Sequence, residues 1–290
     1  LFKAWYQPDA DQYLGFLVLK VTSCSSDGSI RLLQITDTHL FEATDGSLLS
    51  VNTADSFNAV VDAIVEENPV YDAVLATGDI SQDHSEVSYQ RFEQGIVPLK
   101  KKCFWLPGNH DFKPSMNSVI PSQQIQQIDH VLLGDTWQMI MLDSQVVGVP
   151  HGRLSDKQLN LLEEKLSQYP ERYTLILLHH HPLLVGSAWL DQHTLKDSDD
   201  FWQVVDQHNN VKAVLCGHVH QDMNVMRNDV RVMATPSTCV QFKPNSDDFA
   251  LDYQSPGWRE LLLRDNGEVE TQVKRLPAGC FQPDFNSAGY

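Results

Sequence analysis

The chain has 290 residues and a formal charge of −17, with 21 Lys and Arg against 38 Asp and Glu. So acidic a surface repels nucleic acid and anionic membranes, which removes both from the expected partners. The 42% hydrophobic share suits a folded protein with a sizeable core, and no apolar run approaches the ~20 residues of a membrane helix.

At the N-terminus, residues 14–19 are apolar and Val21-Thr22-Ser23-Cys24 has the form of a lipoprotein cleavage box. The apolar run is about six residues, short of the ~7–15 of a signal core. Asp9 and Asp11 stand where positive charge belongs, and Lys20 interrupts the run before the box. Export is not expected. Residues 1–28 read as a poorly defined extension ahead of a domain spanning 29–290. Cys24, Cys103, Cys216, Cys239 and Cys280 are odd in number, scattered, and lack close zinc-type spacing. Free thiols in a reducing cytoplasm are the expectation.

Residues 30–35 predict a strand. Phe57, Val60, Val61 and Ile64 recur at helical spacing, so 55–67 predicts an amphipathic helix stopped by Asn68-Pro69. Short apolar runs at 71–77, 103–106 and 138–142 predict strands. Ser155 with Gln158 predicts a capping box, and Leu159, Leu162 and Leu166 form one face of the helix after it. Further strands are expected at 173–178 and 211–216, with a helix over 201–208 between them. Beyond residue 230 the character changes. Strands are expected at 231–235, 238–242 and 258–264, and Asp265-Asn266-Gly267 turns the last into a hairpin partner over 268–273. The sum is an α/β protein with a strand-rich C-terminal third, read as one domain of two packed sheets flanked by helices.

The chemistry lies in the short segments just past five of these strands. Thr36-Asp37-Thr38-His39 closes the first, and Gly78-Asp79 the second. Gly108-Asn109-His110-Asp111, His179-His180-His181-Pro182 and Gly217-His218-Val219-His220 close the other three. Each motif alone is weak, since Gly-Asp and Gly-Asn are ordinary turn pairs. All of them in order, each closing a buried strand, point to one site beyond the carboxyl ends of the strands. Carboxylate, imidazole and amide oxygen without thiolate suit Mn, Fe or Zn. Several imidazoles disfavour a magnesium-only site. Asp-x-His and His-x-His aim two donors the same way from one extended segment. The donors outnumber those of one tetrahedral centre and fit two metals sharing a carboxylate.

This ordered set resembles the calcineurin-like metallophosphoesterase superfamily over residues 37–220. The stretches 33–41, 105–112, 142–146 and 236–244 extend the likeness to its bacterial class III 3′,5′-cyclic AMP phosphodiesterases over about residues 30–290. The resemblance implies a four-layer α/β/β/α sandwich of two mixed sheets. It implies two divalent ions, iron or manganese with zinc as the alternative. Asp37, His39, Asp79 and His220 would hold the first, and Asp79, Asn109, His180 and His218 the second. His180 is chosen because the family ligand is taken to lie two residues before the proline. His39, Asp79, Asn109, His110, His180 and His220 would surround the substrate phosphate. The implied reaction is hydrolysis of cyclic AMP to 5′-AMP by in-line attack of a hydroxide bridging the ions, with His110 protonating the leaving ribose 3′-oxygen. The family often orients that histidine with a carboxylate three residues after the Gly-Asp aspartate. Gln82 stands there, so Asp83 or Asp111 is expected to substitute. Thr38, His84, Trp189, Asp191 and His193 are candidates for the pocket wall, while Phe242 and Trp258 suit the core.

Two alternatives stay open on sequence alone. One is another phosphodiester or phosphomonoester on the same site, because fold and metals do not set substrate. The other is a non-catalytic scaffold, which intact ligand motifs disfavour. A nuclease fits the superfamily but not the charge.

Overall fold

The computed structural model describes residues 19–289. One sheet has seven strands, in the order Leu19–Val21, His130–Leu133, Trp137–Met141, Tyr173–Leu177, Val211–Cys216, Val230–Ala234, Met223–Arg227. The other has six, in the order Val269–Arg275, Gly257–Leu263, Ile30–Ile35, Ala73–Ala76, Cys103–Trp105, Ile125–Gln126. Both are mixed: parallel pairs form each centre and one edge, and antiparallel pairs close the other edge.

Alternation along the strands divides the apolar residues between two sides of each sheet. Leu32, Leu75, Phe104, Met139, Leu175, Leu215 and Met233 meet in one cluster between the sheets. Leu33, Val74 and Trp105 face outward and pack on the helices Thr53–Glu67, Glu86–Gly95 and Lys113–Val119. Ile140, Ile176 and Val214 face outward from the other sheet, onto Asp156–Gln168 and Ser198–Val205. The result is the expected four-layer α/β/β/α sandwich.

The first helix runs Thr53–Glu67, with the Asn52 side chain accepting from the Asp55 amide and Asn68 ending it in the left-handed region. Two expectations need correction. Residues 238–242 form no strand. Their amides serve the site loops instead: Thr238 donates to the Thr36 carbonyl and Phe242 to the His220 carbonyl. Ser155 does cap Asp156–Gln168 by position, but no side-chain capping bond forms. Gln158 turns away, and its Oε1 accepts from the Asp143 amide at 3.0 Å.

Residues 1–18 lie outside the described residues, so the apolar run at 14–18 does too. Leu19–Val21 pairs in parallel with Val131–Leu133, and the Cys24 amide donates to Asp72 at 2.6 Å. The ordered fold thus includes chain ahead of residue 29. All five cysteines are free thiols, with Cys103, Cys216 and Cys239 buried. No helix among the described residues is long and apolar enough to cross a membrane.

A polar post stands between the sheets at the end that carries the site. Arg259 is 1% exposed. Its guanidinium donates to Thr235 Oγ1 at 2.9 Å, Thr271 Oγ1 at 2.9 Å, Asp222 Oδ1 at 2.7 Å and the Ala234 carbonyl at 2.8 Å. It ties the loop after Gly-His-Val-His to the second sheet. Arg259→Ala removes several charge-assisted bonds and leaves buried acceptors unpaired. A loss of about 3 kcal/mol is expected in urea unfolding, and a change within 0.5 kcal/mol, about that of an ordinary surface substitution, would refute the role.

Candidate metal centre and active site

The carboxyl ends of the parallel strands from both sheets face one place. Ile30–Ile35, Ala73–Ala76 and Cys103–Trp105 deliver Asp37, His39, Asp79, Asn109 and His110. Tyr173–Leu177 and Val211–Cys216 deliver the histidine tract and His218 and His220 from the opposite sheet. Their ligand atoms fall into overlapping groups in which all members lie within 4.8 Å of one another. These are Asp37 with His39 and His220, His39 with Asp79 and His110, Asp37 with Asp79 and His179, and His179 with His180 and His218.

The loops are held in conformations that unrestrained chain avoids. Asp37, His39, Asp79, His218 and His220 all have positive φ, between 47° and 70°. Each such residue costs of order 1–3 kcal/mol, and such strain persists only where surrounding bonds fix it. Those bonds run from loop to loop. The Asp37 amide donates to the Gly78 carbonyl at 3.0 Å and the His39 amide to the Asp79 carbonyl at 2.9 Å. The His218 amide donates to the Asp37 carboxylate at 3.1 Å, and the His110 amide to Asp79 Oδ1 at 2.8 Å.

Asp111 is a clamp. Its carboxylate accepts from the amides of Ile80, Ser81 and Gly108, at 3.0, 3.1 and 2.9 Å, and from the Tyr89 hydroxyl at 3.1 Å. Asp83 accepts from the Glu42 amide at 2.6 Å and the Ser85 hydroxyl at 2.7 Å. Both carboxylates are thus committed to loop structure, so neither meets the expectation of an acid orienting His110. Gln82 has a different task from the one its position suggested: its Oε1 contacts His39 Nδ1 at 2.7 Å.

Gly78 and Gly108 are where these loops touch. Gly78 has φ of +96°. A Cβ on Gly108 would stand 2.1 Å from Asp79 Oδ1 and 2.4 Å from the Asp79 amide nitrogen. Gly108→Ala is therefore expected to push Asp79 out of place. Metal content measured by mass spectrometry should fall along with turnover, and a fully loaded, active Gly108→Ala protein would contradict the close approach.

Second contacts fix the imidazole tautomers. His179 Nδ1 donates to the Thr77 carbonyl at 2.7 Å and His220 Nδ1 to the Val240 carbonyl at 2.9 Å. His39 Nδ1 donates to Gln82. Each Nε2 then carries a lone pair toward the cluster, the arrangement of metal-ligating histidines. These lone pairs face other acceptors. His39 Nε2 and His220 Nε2 are 3.2 Å apart. His220 Nε2 lies 3.3 Å from Asp37 Oδ1. His179 Nε2 lies 3.2 Å from Asp79 Oδ2 and 3.2 Å from Asn109 Oδ1. Acceptor against acceptor at such distances is repulsive unless positive charge lies between. His218 Nε2 is buried without a hydrogen-bond partner. The donor set thus fits divalent ions.

The electrostatics agree. Burial opposes charge on His179, yet the Asp79 carboxylate beside it outweighs burial and lifts its pKa to about 9, so without an ion a proton on Nε2 supplies the positive charge facing Asp79. Burial also opposes charge on Asp79, but His179 and His110 hold its pKa well below the ordinary carboxylate value. Positive charge is favoured around Asp79. His39, farther from the carboxylates, is driven down by burial to about 3.

The structure gathers Asp37, His39, Asp79, Asn109, His110, His218 and His220 as the sequence predicts. His180 also joins the cluster, beside His179 and His218, but the contacts its assignment calls for are made by its neighbour. It is His179 that contacts Asp79 and Asn109. His180 stands beside it, with Nδ1 2.8 Å from Ser144 Oγ and Nε2 lacking a hydrogen-bond partner. Ser144 and Gln145 were legible only as part of a family-like stretch. Gln145 Nε2 bridges the Gly108 and Asp111 carbonyls at 2.6 Å each, tying Gly-Asn-His-Asp to the neighbouring sheet. Thr38 Oγ1 donates to the Ile80 carbonyl and is buried in the loop rather than in a pocket. Phe242 is buried and stacks on His220, with centroids 4.3 Å apart and planes within 10°. Trp258 belongs to the core.

Residues 30–222 match the family model of the calcineurin-like phosphoesterases. A Vibrio vulnificus protein named 3′,5′-cyclic adenosine monophosphate phosphodiesterase CpdA is 67% identical over 265 residues, covering 91% of this chain and 97% of that protein. The Escherichia coli protein of the same name is 49% identical over 266 residues, covering 92% and 97%. The fold is shared with a dimetal phosphatase from Danio rerio, at a TM-score of 0.59 and 15% identity, over 85% of this chain and 98% of that one. Together with the convergent Asp, Asn and His loops, these matches show that the chain belongs to the calcineurin-like phosphoesterase family.

Proposed function

We propose that this chain hydrolyses 3′,5′-cyclic AMP to 5′-AMP with two divalent ions, acting in the cytoplasm on a small soluble substrate. The observation that supports the metal reading is the convergence of buried ligand atoms, with His39 Nε2 and His220 Nε2 3.2 Å apart and His179 Nε2 3.2 Å from Asp79 Oδ2. The choice of substrate is supported by the relatives' names and by identities that extend over nearly the whole chain.

Asp37, His39, Asp79 and His220 would hold one ion. Asp79, Asn109, His179 and His218 would hold the other, with Asp79 shared. His179 replaces His180 in this assignment, because its Nε2 meets both Asp79 and Asn109. When bound, the ions supply Lewis acidity and a water acidic enough to attack phosphorus at neutral pH. Imidazole and carboxylate together suit iron, manganese or zinc.

The chain's own groups do the rest. His110 is half-buried, its amide is pinned to Asp79, and its ring lies edge-on to His39 with centroids 5.0 Å apart. From there it holds a proton for the departing ribose 3′-oxygen. Gln82 keeps the His39 ring from rotating, and Asp111 keeps the Gly-Asp and Gly-Asn-His loops in register. The acidic surface leaves the substrate's negative charge to be met inside the site.

The test is product analysis. Metal-loaded protein incubated with cyclic AMP is expected to release 5′-AMP, resolved from 3′-AMP by chromatography. Cleavage of a p-nitrophenyl diester with cyclic AMP left intact would retain the phosphoesterase and reject this substrate. Release of 3′-AMP would reject the assigned leaving group.

A further inference from the structure

A cavity of about 420 Å³ opens directly beside the candidate catalytic groups, with Asn109, His110 and His218 in its lining. That volume lies in the ~300–1,000 Å³ range of small-molecule sites. Its two walls come from separate loops. One is the turn Gly148-Val149-Pro150, and the other carries Trp189 and His193, with Phe249 close by.

Trp189 sits on the short helix Ala188–Asp191. Asp191 fixes that helix to the chain before it, accepting from the Val185 amide at 2.8 Å and the Gly186 amide at 3.1 Å. The two walls are joined, because the Gly152 amide donates to the Thr194 carbonyl at 3.1 Å and the Lys196 amide to the Gly152 carbonyl at 2.9 Å. Trp189 packs edge-on against Phe249 at 5.1 Å and against Phe242 at 5.0 Å between centroids. Phe242 in turn stacks on His220. The wall is thus packed through Phe242 onto the candidate metal centre.

A cyclic nucleotide whose phosphate lies at Asn109 and His110 must direct its base to one side. This cavity offers a pre-formed aromatic wall there, and His193 adds a polar edge able to donate or accept one hydrogen bond. We propose that the cavity is the nucleobase subsite, and that Trp189 is the residue giving base-bearing substrates their advantage by presenting a ring to the base. The assignment rests on the cyclic-nucleotide reading above. It adds where the base goes and which side chain reads it.

The test compares wild type, Trp189→Leu and Trp189→Phe, each metal-loaded. The substrates are cyclic AMP and 1-deoxyribose 3′,5′-cyclic phosphate, the same cyclic diester without a base. Leucine keeps apolar packing on Phe242 and Phe249 but removes the ring. Trp189→Leu is expected to raise KM for cyclic AMP by about 10- to 100-fold, the range of one base–aromatic stack, with kcat little changed. The ratio of kcat/KM between the two substrates should fall by the same factor, and Trp189→Phe should restore most of it. A parallel loss on both substrates would make Trp189 a packing residue and overturn the proposal, as would an unchanged ratio. The two readings fail separately. A wild type that does not favour cyclic AMP over the base-free diester rejects the nucleotide reading. A wild type that does, with a Trp189→Leu protein that keeps the preference, rejects only the subsite.

Discussion

His110→Ala is expected to lower kcat by about 10²–10⁴-fold, the typical contribution of general acid catalysis, while both metal ions stay bound. The reason is where the residue stands. Its neighbour Asn109 reaches His179 through Oδ1, whereas His110 contributes its amide to Asp79 and its ring to the cavity. The amide bond survives substitution by alanine, so the Asp79 loop keeps its shape. The group that disappears is the imidazole proposed to protonate the leaving oxygen. The loss should therefore shrink for a substrate whose leaving group needs no protonation, such as a p-nitrophenyl diester. Steady-state kinetics on cyclic AMP and on that diester, with metal content measured on the same samples, decide the matter. Loss of metal from His110→Ala would move the residue from acid to ligand, and an equal loss on both substrates would remove the acid role.

His179→Ala and His180→Ala should separate cleanly. Removing His179 takes a ligand from the proposed site it shares with Asp79 and Asn109, and leaves the buried Asp79 carboxylate without the imidazole 3.2 Å from it. Metal content is expected to drop from two ions per chain toward one. Turnover should fall by at least about 10³-fold, as the Lewis acid is worth several kcal/mol. Removing His180 vacates the ring between Ser144 and His218. It should cost about 10- to 100-fold, the scale of a residue that supports ligands from behind. If His180→Ala loses the ion and His179→Ala keeps it, the assignment reverses to the one the sequence suggested.

That pair of neighbours marks where reading residues in order stops being sufficient. Three consecutive histidines after a strand are chemically alike, and counting back from Pro182 favours the middle one. Which of them faces Asp79 depends on the pleat at the end of Tyr173–Leu177 and on the partner that fixes each ring. Those partners, Thr77 for His179 and Ser144 for His180, lie 102 and 36 residues away in the chain. The same limit applies to Gln82, Asp111 and Gln145. Their side chains work through groups of other loops, and no motif announces such contacts. The strand expected over 238–242 failed for a related reason. Its composition is that of a strand, but its amides are claimed by Thr36 and His220 from neighbouring loops.

Local pattern was enough for the α/β class, the two-sheet organisation, the helix ending at Asn68 and the terminal hairpin. It was also enough to put Asp37, His39, Asp79, Asn109, His110, His218 and His220 just past the ends of strands. Hydrophobic period and motif order are carried by neighbouring residues, and a donor that closes a buried strand is visible beside that strand. Tertiary packing decided the remainder: which histidine meets Asp79, that Asp111 clamps the Gly-Asp and Gly-Asn-His loops, and that Trp189 walls a cavity beside His110. Those contacts join atoms from separate loops, of one sheet for Asp111 and of opposite sheets for His179 and Trp189, at chain separations that no local pattern spans.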